Sequence, residues 1–319
     1  MTGKTVIKKL AGAAVTLFLA TLLLFIIVRL APGDPVELVL WEHPGEYAIQ
    51  NSEAYRERIA EIRAQYGLDR SIAVQYAQWL KRLVRFDLGN SIHTGRPIAT
   101  EIAERLPATV LLSITAIIIQ LVFGTLLGIQ SALKSGKTLD NVIRFFCVLF
   151  ASIPAFVIGL ALLYAFGVSL HVFEIGSDAS IQRLWLPAIV LALSGLPQLI
   201  RMVRANLLSE LGQTYVSAAL CRGLSKGRVV KHALRNALLP TVTVIALSFT
   251  AMISGAVVVE TIFSWPGIGS YALNSIVFHD YPVIQGYALI MVSAVITVNL
   301  AVDLLYTVID PRVARGRNK

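Results

Sequence analysis

Charge is what this sequence has least of. Asp, Glu, Lys and Arg together make up 15% of its 319 residues, against roughly 25% in soluble domains. A soluble chain of this length needs polar side chains to cover its surface. Too few are present and over half the residues are apolar, so lipid must cover part of the molecule. Cysteine is nearly absent. Cys147 falls in an apolar run and Cys221 in a basic segment, which excludes a disulfide framework and a cysteine metal cluster. Catalytic constellations are missing as well: there is no His-Glu-x-x-His helix and no Gly-x-Ser-x-Gly elbow. The five histidines, His43, His93, His171, His232 and His279, are scattered. His279 beside Asp280 has no third ligand nearby and reads as the end of an external loop. Ser135-Gly136-Lys137-Thr138 is like the end of a phosphate-binding loop, but the first glycine of that pattern would fall on Ser131 and no strand precedes it. No catalytic residue, cofactor or metal is therefore expected in this chain.

What the sequence does have is uncharged apolar runs. They cover residues 10–28, 106–133, 145–173, 184–200, 236–259 and 281–302. About 20 helical residues cross a hydrocarbon core of about 30 Å, and in lipid the backbone must satisfy itself, so these runs predict six membrane-spanning helices. The first is too long for a signal-peptide core and no small-residue cleavage site follows it, so it reads as a retained span. The fourth is short and holds Pro187, Gly195 and Pro197; it is either kinked or continues past Arg201. Gly124 and Gly128 form a small-xxx-small pair suited to close helix packing. Arg29 and Asp303 sit near span ends, where a side chain reaches the interface.

The net charge of +9 comes from basic residues in short segments between apolar runs, which is a topology signal rather than a nucleic-acid footprint. Lys4, Lys8 and Lys9 precede the first run, and Lys134, Lys137 and Arg144 follow the second. The loop after the fourth holds Arg201, Arg204, Arg222, Lys226, Arg228, Lys231 and Arg235; the tail holds Arg312, Arg315, Arg317 and Lys319. The alternate connections hold Arg183 alone, or neither Lys nor Arg over residues 260–280. All four basic segments share one side if both termini are cytoplasmic. Residues 32–105 are too long for the rule to count and carry nine basic and eleven acidic residues. They read as an external subdomain. Tyr55, Ile59, Ile62 and Tyr66 form one helical stripe there, ended by Gly67, and Ile72, Tyr76, Trp79, Leu80 and Leu83 form another. The stripes either pack on each other or lie on the membrane surface.

Residues 201–236 are too long for a simple connection, and they have internal order. Thr214 is placed to cap a short helix from Tyr215 through Val216, Ser217, Ala218, Ala219, Leu220 and Cys221. Ala218 and Ala219 give that helix a face another surface can approach. Gly223 stops it, because glycine takes a left-handed turn cheaply. Ser225 is placed to cap a second helix. There Val229, Val230, Ala233, Leu234, Ala237 and Leu238 share one side, and Arg228, Lys231, His232, Arg235 and Asn236 share the other. Pro240 marks entry to the next span. Charge alone would fit a loop that is basic only to stay inside; the ordered small residues, turn and two-faced helix fit a lever that moves spans.

Tyr215-Val216-Ser217-Ala218-Ala219-Leu220-Cys221-Arg222-Gly223-Leu224-Ser225 and the following His232-Ala233-Leu234-Arg235-Asn236-Ala237-Leu238-Leu239-Pro240 resemble the "EAA" loop of ABC importer permeases. The chain is similar to the dipeptide/oligopeptide/nickel branch in its first (B-type) subunit form. Seven further segments agree in order: Arg29-Leu30-Ala31-Pro32-Gly33-Asp34-Pro35, Tyr66-Gly67-Leu68-Asp69, Phe86-Asp87-Leu88-Gly89-Asn90-Ser91, Leu106-Pro107-Ala108-Thr109, Phe263-Ser264-Trp265-Pro266-Gly267-Ile268-Gly269, Asp280-Tyr281-Pro282-Val283-Ile284-Gln285-Gly286 and Asp310-Pro311-Arg312. Ser217 departs from the loop's name, which would put Glu there; peptide-type members often lack it.

The resemblance implies an all-α integral membrane protein of the type I importer permease fold. Residues 1–31 would form the N-terminal segment and first span, and 32–105 a small external helical subdomain. Residues 106–310 would form a five-span core with a coupling loop at 201–236, and 311–319 a cytoplasmic tail. It implies a passive translocation subunit in the bacterial inner membrane, paired with a second similar permease, two cytoplasmic ATPases and an external solute-binding protein. ATP and Mg²⁺ would sit on the ATPases. Tyr215, Val216, Ala218, Ala219, Arg222, Gly223, Leu224, Ser225 and Arg228 would form the ATPase-coupling loop, and His232, Arg235, Asn236 and Pro240 the lever. Peptides are the broader cargo, with nickel or a metal chelate as the alternative. A secondary transporter working alone would bury ionisable groups near the midplane or show an inverted repeat, and an intramembrane enzyme would need a nucleophile–base or metal pair. Neither pattern is present in the sequence.

Overall fold

The computed structural model describes residues 3–30, 53–65, 69–238 and 240–309. Residues 31–52, Tyr66-Gly67-Leu68, Leu239 and Asp310-Pro311-Arg312 with the basic tail lie outside them, so four of the family-like segments lie partly or wholly outside too. Twelve α-helices are described: α1 (Gly3–Leu30), α2 (Glu53–Gln65), α3 (Ile72–Val84), α4 (Ile98–Leu133), α5 (Thr138–Ser152), α6 (Ala155–Leu163), α7 (Ile181–Leu211), α8 (Thr214–Cys221), α9 (Lys226–Ala237), α10 (Thr241–Ile262), α11 (Ile268–Val277) and α12 (Tyr281–Ile309). A π-helical segment, Tyr164–Ser169, continues α6. Among the described residues the sole bridge of β type joins Asn90 and Pro97.

Four helices, α1, α4, α7 and α12, are long and apolar enough to cross a membrane among the described residues. α5 and α6 with its π segment together form a fifth candidate. The remaining expected run falls on α10, which has 22 residues and a length of about 33 Å. One span differs from the sequence expectation. Residues 145–173 are not one rod: α5 and α6 are bent by 100°. Pro154 explains the break. It disfavours helical backbone in the residue before it, and Ile153 is extended, with φ −98° and ψ 125°. The fourth span does continue past Arg201, to Leu211, with Pro187 and Pro197 inside the helix.

The chain divides into two compact units. One comprises Met1–Pro107, Ser270–Leu300 and Tyr306–Lys319; the other comprises Ala108–Gly269 and Ala301–Leu305. In the first, the stripe of α3 packs on α1. Tyr76 and Trp79 lie 5.2 and 5.9 Å from Phe25 between ring centroids, and the Tyr76 and Thr21 hydroxyls are 3.2 Å apart. Tyr76 and Trp79 of that stripe therefore meet the first span, while the side chains of Tyr55, Ile62 and Tyr66 of the neighbouring stripe lie outside what is described. In the second unit, α7 is the central column. Leu186, Ala188, Val190, Leu191 and Ala192 are buried with Leu112 and Ala116 of α4 and Met252, Ala256 and Val259 of α10. Gly124 and Gly128 permit this approach. A Cβ on Gly124 would lie 2.6 Å from Leu199, and one on Gly128 would lie 2.7 Å from Val203. The small-residue pair is thus a packing device.

Four helices end in one backbone device. After α3, α8, α10 and α11 the chain turns left-handed at Phe86, Gly223, Ser264 and His279, with φ of 58°, 79°, 49° and 52°. Each turn closes with the paired bonds of a Schellman motif, as in Gly223 N–H to Leu220 O and Leu224 N–H to Ala219 O. Only one of the four uses glycine, and the left-handed region costs other residues about 1–2 kcal/mol. Phe86 is also 90% exposed, so little packing offsets that cost. We expect Phe86→Gly to hold or raise the thermal midpoint of the purified protein, and Phe86→Val to lower it. A midpoint lowered equally by both would refute the backbone account.

Candidate functional site

Four polar centres and one loop stand out, each assembled within one unit. The loop begins where α7 ends. Tyr215 donates its hydroxyl proton to Glu210 Oε2 at 2.7 Å, which ties α8 to the last turn of α7. Loss of hydration, with this hydrogen bond, holds the phenol pKa above its ordinary value. α8 starts one residue earlier than expected: Gln213 occupies the N-cap position and Thr214 is already helical, so Thr214 is not the cap. Ser225 occupies the N-cap of α9, but without a side-chain cap bond. The Gly223 turn between them is left-handed, as the sequence predicts.

α9 is divided as its sequence pattern predicts. Val229, Ala233 and Ala237 are buried, and Ala233 and Ala237 pack with Leu234 against Leu207, Leu208 and Leu211 of α7 and Ala132 of α4. Arg228, Lys231, His232, Arg235 and Asn236 are exposed. Asn206 Nδ2 donates to Ala237 O at 3.4 Å, fastening the end of α9 to α7. Pro240 is the N-cap of α10. Between α8 and α9 lies a groove of about 560 Å³, with Tyr215, Ala219, Leu224, Leu234 and Leu238 among its apolar lining and Arg228, Lys231, His232 and Arg235 as its basic residues. Among the described residues none of its lining is acidic. Of the expected coupling residues, Val216 alone is buried, at 5% exposed. Ala218 and Ala219 are half-buried, Arg222 and Ser225 are exposed, and Tyr215 and Leu224 expose apolar surface.

The polar centres are buried charges that the sequence alone presents as topology markers or loop residues. The first is Asp140, 0% exposed. It accepts from Arg204 Nε and Nη2, both at 2.8 Å, from Ser131 Oγ at 2.5 Å and from Gly136 N–H at 3.0 Å. The glycine of the loop that imitates a phosphate site therefore serves an internal carboxylate. Arg204, one of the seven basic residues of the long loop, is a helix partner instead. The second centre is Arg183. It donates to Glu174 O, Asp178 O, Gly176 O and Phe263 O, pinning the connection before α7 to the end of α10.

The third centre joins two of the family-like segments. Thr109 Oγ1 donates to Glu260 Oε1 at 2.6 Å and Gly269 N–H to Oε2 at 2.8 Å. Ile268 N–H donates to Thr109 Oγ1 at 2.9 Å, and Trp265 Nε1 to Ala108 O at 3.0 Å. Glu260 is 0% exposed. A Cβ on Gly267 would strike its carboxylate, so glycine there makes room for the acid. In the other unit Asp280, 2% exposed, accepts from Ser91 Oγ at 2.5 Å and from the N–H groups of Ile92 and His93 at 3.2 and 3.3 Å. It thereby joins the Phe86–Ser91 segment to the start of α12. Among the described residues no group of three His, Cys, Asp or Glu is placed to hold a metal ion. The missed signal was an acid at fixed spacing from a Pro-Gly-x-Gly turn, which only matters once the turn is known to fold back.

Helices of spanning length, a buried column and a two-helix loop with an open basic groove define a membrane transport subunit. Family comparison agrees. The model of the binding-protein-dependent transport system inner membrane component matches residues 124–315, and that of the N-terminal part of such membrane components matches residues 3–113. The chain belongs to this family of ABC importer permeases, multi-pass proteins of the inner membrane. It is 36% identical over 310 residues to the glutathione transport system permease protein GsiC of Escherichia coli (strain K12), covering 97% of this chain and 98% of the relative. The GsiC protein of Salmonella typhi shows the same identity and coverage. A solved chain of the MetNI methionine ABC transporter in inward-facing conformations shares the fold, with a TM-score of 0.54 and 16% identity, over 66% of this chain and 96% of that one.

Gly267→Ala should lower the unfolding free energy by roughly 1–3 kcal/mol, the usual cost of overpacking. Thr109→Val should also destabilise, since it strips a donor from a buried carboxylate. Unfolding midpoints in detergent read both. Wild-type midpoints for the pair would show that the carboxylate is not held as described.

Proposed function

We propose that the chain is a passive half of a translocation pathway for peptides, moved by ATPases that press on residues 212–240. The observation that carries this reading is the division of α9: its apolar face is seated on α7, while its basic face borders an open groove. An exposed loop needing only positive charge would have no reason for the turn, the half-buried alanines or the seated face. In this reading two cytoplasmic ATPases supply ATP, Mg²⁺ and catalysis, a second similar permease completes the pathway, and an external binding protein delivers cargo. Both termini are cytoplasmic, following the basic segments. Tyr215, Ala218, Ala219, Arg222, Gly223, Leu224, Ser225 and Arg228 form the contact, and His232, Arg235, Asn236 and Pro240 belong to the lever. ATP then shifts the population between inward- and outward-facing states by binding one of them better. Peptide cargo is favoured because GsiC is named for glutathione, itself a small peptide.

Gly223→Val tests the loop. Its glycine has φ +79° and open space around it, so valine adds backbone strain without a clash. We expect the protein to reach the membrane and pair, with transport and cargo-stimulated ATP hydrolysis reduced several-fold in the assembled system. Normal values of both would remove the coupling role of the turn. The purified chain alone should hydrolyse no ATP. Cargo is read from thermal shifts of the partner binding protein: stabilisation by di- or oligopeptides supports the proposal, and stabilisation by nickel–chelator complexes alone overturns its cargo.

A further inference from the structure

One cavity is not used by anything above. It lies within the first unit and measures about 70 Å³. A single water needs about 10–15 Å³ on such a measure, so the space admits a group of several heavy atoms. Arg29, Arg82, Gln78, Asn90, Trp79 and Gln285 are among its lining residues, and among the described residues none of the lining is acidic. Gln285 is 7% exposed. Its Nε2 and the Nε of Arg29 are both buried, and neither has a hydrogen-bond partner among the described residues. Arg29 also stacks over Phe25, with its Cζ 5.4 Å from the ring centroid, which fixes the guanidinium instead of letting it reach freely into water.

Buried donors without acceptors cost free energy, and among the described residues no acid in the lining balances Arg29 and the more exposed Arg82. An oxyanion answers both faults. Phosphate fits: it offers several acceptors, carries negative charge and matches the planar fork of arginine. Arg29 lies in the last turn of a helix long and apolar enough to span the membrane, which ends at Leu30. A tryptophan and an arginine at such a boundary are typical of the headgroup level. We propose that this cavity binds a phosphate oxyanion presented by a phospholipid headgroup, held by Arg29 and Gln285.

The test uses the assembled transporter in detergent. Native mass spectrometry follows retention of phosphatidylglycerol, with diacylglycerol, which lacks the phosphate, as the comparison. Inorganic phosphate is added separately, and thermal shift is read. Retention of phosphatidylglycerol over diacylglycerol, weakened about tenfold by Arg29→Gln and by Gln285→Leu, supports the site; tenfold is the size of one charge-assisted hydrogen bond. Gln285→Glu guards against a folding artefact. It places a carboxylate where the phosphate would sit, so it should assemble, raise the thermal midpoint without lipid and abolish selective retention. A thermal shift with inorganic phosphate as large as that with phosphatidylglycerol would keep the oxyanion site and overturn its lipid source. Equal retention of the two lipids, or equal retention by wild type and Gln285→Glu, would overturn the proposal.

Discussion

Hydrocarbon supplies no partner for a stranded polar group, and four of the described irregular connections are closed by buried charges of their own. Asp140 closes the turn between α4 and α5. Arg183 gathers the carbonyls of the connection before α7. Glu260 holds the return from α10 to α11, and Asp280 holds the segment after α3 against the start of α12. Each lies at a helix end. A charge at mid-span would have to be neutralised in lipid, whereas one at a helix end can be surrounded by backbone groups that the ended helix leaves unsatisfied. Replacing such a centre by apolar residues would remove the charge but strand the backbone groups that now serve it.

These closures leave the spans free to pack by shape. The α7 column meets α4 where Gly124 and Gly128 admit Leu199 and Val203. In lipid, apolar contact alone gives little preference for helix over solvent, so van der Waals fit and close approach carry the association. The two prolines of α7 sit among buried neighbours, where those neighbours tolerate the missing backbone bonds. Pro154, by contrast, stands at an unbridged bend. The same residue type thus gives a continuous helix in one place and a broken one in the other.

Periodicity and composition made the regular parts legible. The spans follow from apolar runs, and the two faces of α9 follow from spacing at 3.6 residues. The Gly223 turn is readable because glycine announces it. Phe86, Ser264 and His279 make the same turn and give no such announcement, since their residue types favour other backbone regions. Arg183 and Arg204 were readable only as basic residues. Counting charges by loop treats each as a vote on orientation, and their partners, the Phe263 carbonyl and Asp140, lie 80 and 64 positions away. The bend at Pro154 was obscured because the surrounding run stays apolar through it. The segments shared with the family were visible one by one, but that Thr109 serves Glu260, or Ser91 serves Asp280, depends on pairings 151 and 189 positions apart.

Those pairings change how a push on the loop would travel. Sequence order alone sends force from α8 through α9 into α10. The packing adds a second path, because Ala233, Leu234 and Ala237 rest on the last turns of α7, and Tyr215 is tied to Glu210 on that same helix. α7 is clamped to α5 through Arg204 and Asp140 and interlocked with α4 through the glycines. A displacement at the groove therefore loads the central column together with α10. In the proposed coupling, the seated apolar face of α9 would carry the force and its exposed basic face would meet the partner.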